Sequence, residues 1–346
     1  MKRFFSDASF WNTPIASDAA ADPGSRVMLN TLKDRDSRGF WINLDCWTIP
    51  IYEVDASTPR HKIHRRFHAG SDGPMVRSVP YLWEGHPMGH GDAFARDAEA
   101  GLIPIPRGAL PDPERDSHIA LVDWETGWIW DMWAVRIRSD GEWECNSGMK
   151  YRADGSGVFD PAEFAVHNGE SIHPYGPSRA AGVPALAGTI MHEEILSGHI
   201  AHKLGFATQG AAFQQFVCPP ACWTDGGWPG GLPEGAVVQL NPSLDLSAFH
   251  LSPAAAVIAR ALQEYGAVNV DVCGGHCLYA QGLYADPRGR TWAGLLHGND
   301  LTALTFDHYR VLRMDNLVSE GMGLRVPDGY YAPLETAEVG EEVGAK

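Results

Sequence analysis

Apolar and polar residues alternate over short stretches in the central part of the chain, and glycine or proline interrupts the pattern every few positions. Short alternating runs of this kind are typical of β-strands joined by turns and loops. The clearest runs are 119–123, 127–137 and 236–240. Residues 125–127 predict a hairpin turn between the first two runs. Apolar side chains on both faces of 127–137 favour an interior strand.

The pattern as a whole predicts a mainly β fold, namely a large antiparallel β-sandwich of jelly-roll type with a few helices and long Gly/Pro-rich loops. One helix is predicted over 254–265, because Ser252 and Pro253 supply start signals and Gly266 a stop signal. A second helix is predicted over 191–204. We expect a single β-rich domain of catalytic type over 1–334, followed by an acidic flexible tail over 335–346.

Composition narrows the classes of partner. The chain carries 27 Lys and Arg against 43 Asp and Glu, a formal net charge of −16. Because affinity for phosphate depends on clustered basic residues, this balance argues against nucleic acid as a partner. No run of about 20 apolar residues is present, so we expect no membrane insertion. The first seven residues lack the apolar core of a signal peptide.

The cysteines leave three interpretations open. Two pairs share one spacing, Cys218 with Cys222 and Cys273 with Cys277, and the remaining two are Cys46 and Cys145. An even count and Gly/Pro-rich loops favour disulfides. Free thiols and a four-cysteine zinc site are the alternatives, although zinc ribbons usually space their thiols by two residues.

The predicted helix over 191–204 carries an acid and a histidine on one face. Glu194, Gly198 and His202 recur at four-residue intervals, which places them on one stripe. At about 1.5 Å per residue, Glu194 and His202 should lie about 12 Å apart, too far to touch but suited to flank a long substrate. The alternative interpretation is a polar stripe with a capping glutamate.

A second group of candidates lies on the predicted hairpin. His118, Asp131 and Trp133 should approach one another on adjacent strands. A histidine with a carboxylate is the minimum for general acid–base catalysis, and tryptophan beside acids suits the recognition of sugar rings. The alternative is that the tryptophans fill the core.

Further candidates occur in Gly-rich loops and after one strand. Asp271 follows a strand-like run, and the loop 222–228 contributes Trp223, Asp225 and Trp228 as substrate-binding candidates. Asp225 with Gly226 is also an ordinary turn signal. The loop 86–92 contains His86, His90 and Asp92, which are candidate ligands of a divalent metal. The spacing of these three residues matches no established metal-binding motif. We expect that the protein requires no cofactor, and a structural divalent metal is a further hypothesis.

Several blocks resemble a largely uncharacterised family of secreted bacterial and actinophage proteins. The blocks occur in order at 9–15 (Ser-Phe-Trp-Asn-Thr-Pro-Ile), 116–123, 130–133, 182–202, 220–226 and 261–271. The family's helix motif usually ends in His-Ala-Leu, whereas this chain has His202-Lys203-Leu204. The resemblance implies an extracellular or virion-associated setting and no particular activity. Its members often carry a signal peptide, so the absence of one here favours a phage-encoded version.

These observations together predict a carbohydrate-active enzyme that degrades a polysaccharide or a cell-envelope glycan by general acid–base catalysis. Glu194 and Asp271 are the predicted carboxylate pair, with His202 or His118 assisting one of them. A glycoside hydrolase is favoured over a polysaccharide lyase, because a chain of net charge −16 is poorly suited to a uronate polyanion. The alternatives are a non-enzymatic glycan-binding or phage-tail adhesion protein, and a metal-dependent hydrolase at the 86–92 loop.

Overall fold

The fold is taken from a computed structural model, which describes residues 2–65, 68–69, 75–76, 90–145, 147–159 and 178–319. The predicted tail over 335–346 lies outside these residues. The helices of the described part are α1 (Ser25–Arg35), α2 (His90–Glu99), α3 (His192–Ser197) and α4 (Pro253–Glu264), with 3₁₀ turns at Leu246–Phe249 and Phe306–His308.

Short strands make up most of the regular structure, so the predicted mainly β class is confirmed. In the first half of the chain they are β1 (Trp41–Asn43), β2 (Ile49–Val54), β3 (Arg60–His61), β4 (Ile63–Arg65), β5 (His68–Ala69), β6 (Met75–Val76), β7 (Ile103–Pro104), β8 (Ile119–Asp123), β9 (Trp128–Trp133), β10 (Arg136–Ile137), β11 (Trp143–Cys145) and β12 (Ser147–Arg152). In the second half they are β13 (Leu204–Thr208), β14 (Ala211–Val217), β15 (Leu232–Glu234), β16 (Val237–Leu240), β17 (Ala267–Asp271), β18 (His276–Tyr279), β19 (Gln281–Gly282), β20 (Tyr309–Val311) and β21 (Leu317–Ser319).

Two larger sheets organise the molecule. One has six strands in the order β1-β18-β13-β17-β16-β20, and the other has five in the order β12-β9-β8-β2-β19. Both sheets mix parallel and antiparallel neighbours; β13 runs parallel to β17 but antiparallel to β18, for example. The prediction of an antiparallel architecture is therefore wrong, because alternation marks a strand but does not fix the direction of its partner. A jelly-roll arrangement stays a prediction.

Three hydrophobic clusters hold these sheets together. One cluster joins residues of both larger sheets, such as Val122 and Ile129 of the five-stranded sheet with Val268 and Val270 of the six-stranded sheet. A second cluster packs α4 on the six-stranded sheet, and a third covers the opposite face of the five-stranded sheet next to α2. The larger sheets therefore share a core, with helices packed on their other faces.

Local sequence signals explain the β8–β9 hairpin and α4. The turn between β8 and β9 is closed by the Gly127 amide, which donates to the Asp123 carbonyl at 2.8 Å, and Gly127 has φ +72°. β9 has hydrogen-bonded neighbours on both sides, which confirms it as an interior strand. Helix α4 begins after Ser252, whose hydroxyl accepts from the Ala255 amide at 3.1 Å, and Gly266 follows its end with φ +75°.

The second predicted helix is much shorter than expected. It was predicted over 191–204, but α3 ends at Ser197 because Gly198 adopts the left-handed conformation, with φ +79°. Residues 204–208 are strand β13 of the six-stranded sheet. This early end redirects the chain and decides how the acid and histidine of this segment meet.

Candidate functional site

Two cavities of similar size contain or adjoin different subsets of the predicted acids and histidines. The first has a volume of about 560 Å³ and is lined by residues 2–5, Glu194 and His202, among others; we call it the N-terminal cavity. The second has a volume of about 620 Å³ and is lined by Trp41 and Trp47, among others; we call it the tryptophan cleft. The predicted site residues are therefore divided between two places.

Glu194 and His202 form an ion pair on the wall of the N-terminal cavity. His202 Nε2 lies 3.1 Å from Glu194 Oε1 and 3.2 Å from Oε2. The separation of about 12 Å expected from a continuous helix is therefore wrong. Because α3 stops at Gly198, the chain folds back and returns the imidazole to the carboxylate.

Both members of this pair are buried and well supplied with partners. Their side chains are 5% and 12% exposed. Glu194 Oε2 also accepts from the Met191 amide at 3.1 Å, and His202 Nδ1 lies 2.8 Å from the Lys203 carbonyl oxygen, to which it can donate. Burial alone would lower the pKa of His202, but the Glu194 carboxylate raises it above its ordinary value. The pair thus caps α3 and ties it to the following loop, as the capping interpretation of Glu194 predicts.

The tryptophan cleft lies between three segments of the chain, which are 36–47, 112–118 and 272–279. Trp41 and Trp47 are 44% and 40% exposed, which is high for such large apolar rings. Trp47 is held by the buried carboxylate of Asp112, which accepts from the Trp47 amide at 3.1 Å and from the Thr48 amide at 2.8 Å. The cleft therefore presents two fixed, accessible indole rings to a ligand.

Four acidic residues from separate parts of the chain gather beside this cleft. They are Asp116, Asp225, Glu234 and Asp271, which we call the acid cluster. Asp116 lines the cleft directly. Asp271 lies at the end of β17, beside the cleft residues Val272 and Tyr279, and its side chain is 21% exposed. Glu234 ends β15 and is fully buried.

A single buried arginine lies among these acids. Arg179 is almost completely buried, and its Nη1 lies 3.7 Å from Asp271 Oδ2. Its Nε and Nη2 donate to the Ala185 carbonyl at 3.1 and 2.7 Å. The guanidinium also stacks on the Tyr279 ring, 3.9 Å from the ring centre. Arg179 is thus fixed behind the cleft wall, in contact with a residue that lines it.

Hydrogen bonds fix the acids individually. The Tyr279 hydroxyl lies 3.5 Å from Asp271 Oδ2, to which it donates. Trp133 Nε1 donates to Asp116 Oδ1 at 3.3 Å. The Asp225 amide donates to Glu234 Oε2 at 3.2 Å, which holds two acidic residues next to each other.

Burial raises the pKa values of these acids, and for some of them a neighbouring acid raises the value further. Burial and then the neighbouring Asp225 raise the pKa of Asp271 to about 8, against the lowering effect of Arg179. Burial, Asp225 and Asp271 raise the pKa of Glu234 well above its ordinary value. Burial of the carboxyl also raises the pKa of Asp116 and of Asp225. Asp271 is therefore largely protonated at pH 7, a state that suits a proton donor.

His118 lies on the wall of the tryptophan cleft and is uncharged at neutral pH. Burial and the positive charge of Arg179 lower its pKa to about 3. Its Nδ1 is buried and lacks a hydrogen-bond partner among the described residues. The β8–β9 hairpin pairs Ile119 with Met132, so His118 and Trp133 lie at the same end of the hairpin, as the sequence predicts.

Asp131 is engaged inside the protein. Its carboxylate accepts from the Tyr151 hydroxyl at 2.7 Å, the Ser178 hydroxyl at 2.8 Å and the Ala185 amide at 3.0 Å. Burial raises its pKa to about 6 in spite of these donors. These donors make Asp131 a brace for the segment that begins at Ser178.

The predicted substrate-binding residues do not line either of the two cavities. Of the described residues Asp131, Trp133, Trp223, Asp225 and Trp228, none is among those that line the N-terminal cavity or the tryptophan cleft. Trp223 is half-buried beside Ala181. Trp228 stacks on Arg35, whose guanidinium lies 3.8 Å from its ring centre. The predicted role of these residues as a sugar platform stays a prediction.

Several residues of the site escaped the sequence interpretation. Arg179, Glu234 and Tyr279 carry no motif, and only their three-dimensional placement joins them to Asp271. Trp41 and Trp47 gave a weak signal, since two tryptophans near aspartates and glycines are typical of many loops. Asp271 and His118, predicted as separate candidates, both lie next to Arg179.

None of the six cysteines, all of which the structure describes, forms a disulfide, so the favoured disulfide prediction is wrong for this structure. Cys145 and Cys222 are buried in two different hydrophobic clusters, where they act as small apolar side chains. Cys273 and Cys277 line the tryptophan cleft as thiols. The hydrogen bond with the Cys277 thiol raises the pKa of Cys273, and burial raises it further.

The metal prediction falls largely outside the described structure. His86 lies outside the described residues, and His90 and Asp92 lie in α2 without a described side chain. Within the described ranges, no group of three or more His, Cys, Asp or Glu side chains is arranged to hold a metal ion. The metal site at the 86–92 loop stays a prediction.

Among the described residues, no helix is both long and apolar enough to cross a membrane. Comparison with known proteins adds no assignment: no family model, curated protein or solved structure matches the chain.

Proposed function

We propose that this protein is a glycan-degrading enzyme, a glycoside hydrolase, whose active site is the tryptophan cleft with the acid cluster beside it. The observation that carries the proposal is a cleft that exposes two tryptophan rings and is lined by Asp116, with three further acids of raised pKa, Asp225, Glu234 and Asp271, gathered beside it. Glycoside hydrolysis needs two carboxyl groups in different protonation states, and indole rings stack on the apolar faces of sugars.

Asp271 and Asp116 are the proposed catalytic pair. Asp271, with a pKa of about 8, holds a proton at pH 7 and would donate it to the glycosidic oxygen as the bond breaks. Asp116 lines the cleft, and as a carboxylate it would either activate water or attack the sugar carbon. This pairing replaces the predicted pair of Glu194 with Asp271, because Glu194 lines the other cavity and is bound to His202.

The charges around the cleft support a neutral glycan and hydrolysis. Its lining contains Asp36, Asp112 and Asp116 against Arg38 and Arg115, and the other acids of the cluster stand behind it. A polyuronate would meet these carboxyls without an excess of cations to offset its own charge. A lyase, which needs that charge neutralised, is therefore the less favoured reaction.

The test is turnover of a panel of neutral and uronate polysaccharides, read by new reducing ends and by absorbance at 235 nm. We expect reducing ends without absorbance in the native protein, and their loss in Asp271→Asn and Asp116→Asn. Asp154→Asn is the matched control, since Asp154 is 71% exposed and pairs with Arg152. Absorbance rising together with reducing ends would establish a lyase instead.

A second candidate function, glycan adhesion without turnover, is favoured by one observation. The exposed rings of Trp41 and Trp47 would serve binding equally well in a protein that cleaves nothing. The same panel separates the two functions when binding is measured beside turnover. Retained binding to one glycan, with no product from any, would support adhesion and contradict the hydrolase.

A further inference from the structure

We propose that Arg179 is the positioning residue of the acid cluster, a buried charge that holds Tyr279 and Asp271 from behind the cleft wall and sets how many of the surrounding groups are ionised. This role rests on the proposed function for its biological meaning, but its physical content does not depend on any substrate.

The anchoring of Arg179 is unusual because it leaves part of the guanidinium unused. Nε and Nη2 are held by the Ala185 carbonyl, and one face lies on the Tyr279 ring. Nη1 is buried and has no hydrogen-bond partner in the part of the chain that the structure describes, and its distance of 3.7 Å from Asp271 Oδ2 is too long for a hydrogen bond. A buried cation normally forms direct charge-assisted bonds. Arg179 therefore acts on its neighbours mainly through the electrostatic field of its positive charge.

Ionisable groups surround this guanidinium on every packed element. Six of them interact with the guanidinium directly: Asp116 and His118 before β8, Asp131 on β9, Tyr151 on β12, Asp271 on β17 and Tyr279 on β18. Three more, Asp225, Glu234 and Cys273, interact electrostatically with Asp271 or Tyr279. The positive charge of Arg179 lowers the pKa of all six direct neighbours. One residue therefore lowers the pKa values of groups on four strands and on the segment before β8.

The sign of the effect distinguishes this role from a purely structural one. Without Arg179, the carboxyls lose an attractive cation and bind protons more tightly, while His118 loses a repulsive cation and also binds its proton more tightly. The pKa values of Asp271 and of His118 should therefore both rise. A residue that merely fills space would change stability and leave these values in place.

The experiment is an NMR titration of the full-length protein labelled with ¹³C at the aspartate carboxyls and ¹⁵N in the histidine rings, from pH 3 to pH 10. Asp271→Asn and His118→Asn variants assign the two resonances. Two neutral variants, Arg179→Gln and Arg179→Met, are compared with the charge-retaining Arg179→Lys. We expect the Asp271 midpoint to rise by about 1 to 3 pH units in the neutral variants and to stay near the native value in Arg179→Lys.

Two results would overturn the proposal. One is an unchanged Asp271 midpoint in a folded neutral variant. The other is failure of both neutral variants to fold while Arg179→Lys folds, which would assign the charge to the fold itself. No substrate enters this experiment, so a silent polysaccharide panel would remove the proposed hydrolase and leave the titration standing. Where turnover is found, both limbs of its pH profile should move to higher pH in Arg179→Gln.

Discussion

The N-terminal cavity and the tryptophan cleft each bring together an acid and a histidine that the sequence singled out, but in opposite electrostatic states. In the first, His202 and Glu194 are bonded to each other and to nearby backbone groups. In the second, His118 Nδ1 and Arg179 Nη1 are buried without hydrogen-bond partners within the described ranges, beside acids whose pKa values are raised. Satisfied polar groups stabilise a fold, whereas unsatisfied ones are typical of places where a ligand or a reaction completes the bonding.

This contrast reverses the weight that sequence alone gives to the two regions. Glu194 and His202 stand on one helical stripe and attract attention because their spacing is regular. The acid cluster shows no regular spacing in the sequence, because its first and last members, Asp116 and Asp271, lie more than 100 residues apart. In this protein, regular spacing marks a structural tie and convergence marks the candidate site.

The largest expected difference between the two regions is the effect of replacing Asp271. Replacing it with asparagine removes the proposed proton donor while keeping the shape of the side chain, so turnover should fall by about 10²- to 10⁴-fold. Folding should be retained, since the carboxyl is already largely neutral at pH 7. Initial rates on the active glycan measure the effect, with Asp154→Asn as control. A variant that unfolds would place Asp271 with the structural residues.

Glu194→Gln should give the reverse result. Because this substitution leaves the buried His202 without its carboxylate partner, it should lower the free energy of unfolding by about 3 kcal/mol. The activity per folded molecule should remain unchanged. Urea denaturation gives the first quantity, and rates normalised to the folded fraction give the second. Loss of turnover with unchanged stability would move the active site to the N-terminal cavity.

The pH dependence of stability sharpens the same contrast. Because the pKa of folded His202 lies above its ordinary value of 6.5, its ion pair contributes fully below pH 6.5 and loses this contribution as pH rises through the folded value. The stability difference between the native protein and His202→Gln should therefore be largest at pH 6 and shrink by pH 9. Denaturation curves at four pH values test it, and a difference that grows with pH would contradict the ion pair.

The smallest expected effect concerns the cleft rim. Trp41→Ala should weaken glycan binding about tenfold, the loss of one stacked ring being worth about 1.4 kcal/mol. Phe213→Ala is the matched control, since the Phe213 ring is also exposed but lines neither of the two cavities. Isothermal titration with the inactive Asp271→Asn protein measures both. Equal losses in the two variants would argue against a sugar platform at Trp41.

Sequence signals succeeded where structure depends on neighbours along the chain. The β8–β9 hairpin follows from two alternating runs and one glycine, and α4 follows from Ser252, Pro253 and Gly266. The same local reasoning made α3 too long, because it placed Gly198 inside the helix, whereas Gly198 adopts the left-handed conformation and ends it. That single turn accounts for the error in the distance between Glu194 and His202.

Long-range arrangement could not be obtained in this way. Strand direction in the mixed sheets depends on which distant strands pair, and no local pattern encodes it. Arg179 and Glu234 acquire their importance only from the acids packed around them. The cysteines show the same limit, since their even count and Gly/Pro-rich loops predicted disulfides and the structure contains none among the six. Lys203 gains a role only in three dimensions, by donating to the Phe10 carbonyl at 2.9 Å.

The most direct test compares the native protein with Asp271→Asn and Glu194→Gln on the polysaccharide panel at pH 7, with reducing ends as the readout. The account predicts product from the native protein and from folded Glu194→Gln, and none from Asp271→Asn. Product from Asp271→Asn at the native rate, or its absence from folded Glu194→Gln alone, would contradict the placement of the active site in the tryptophan cleft.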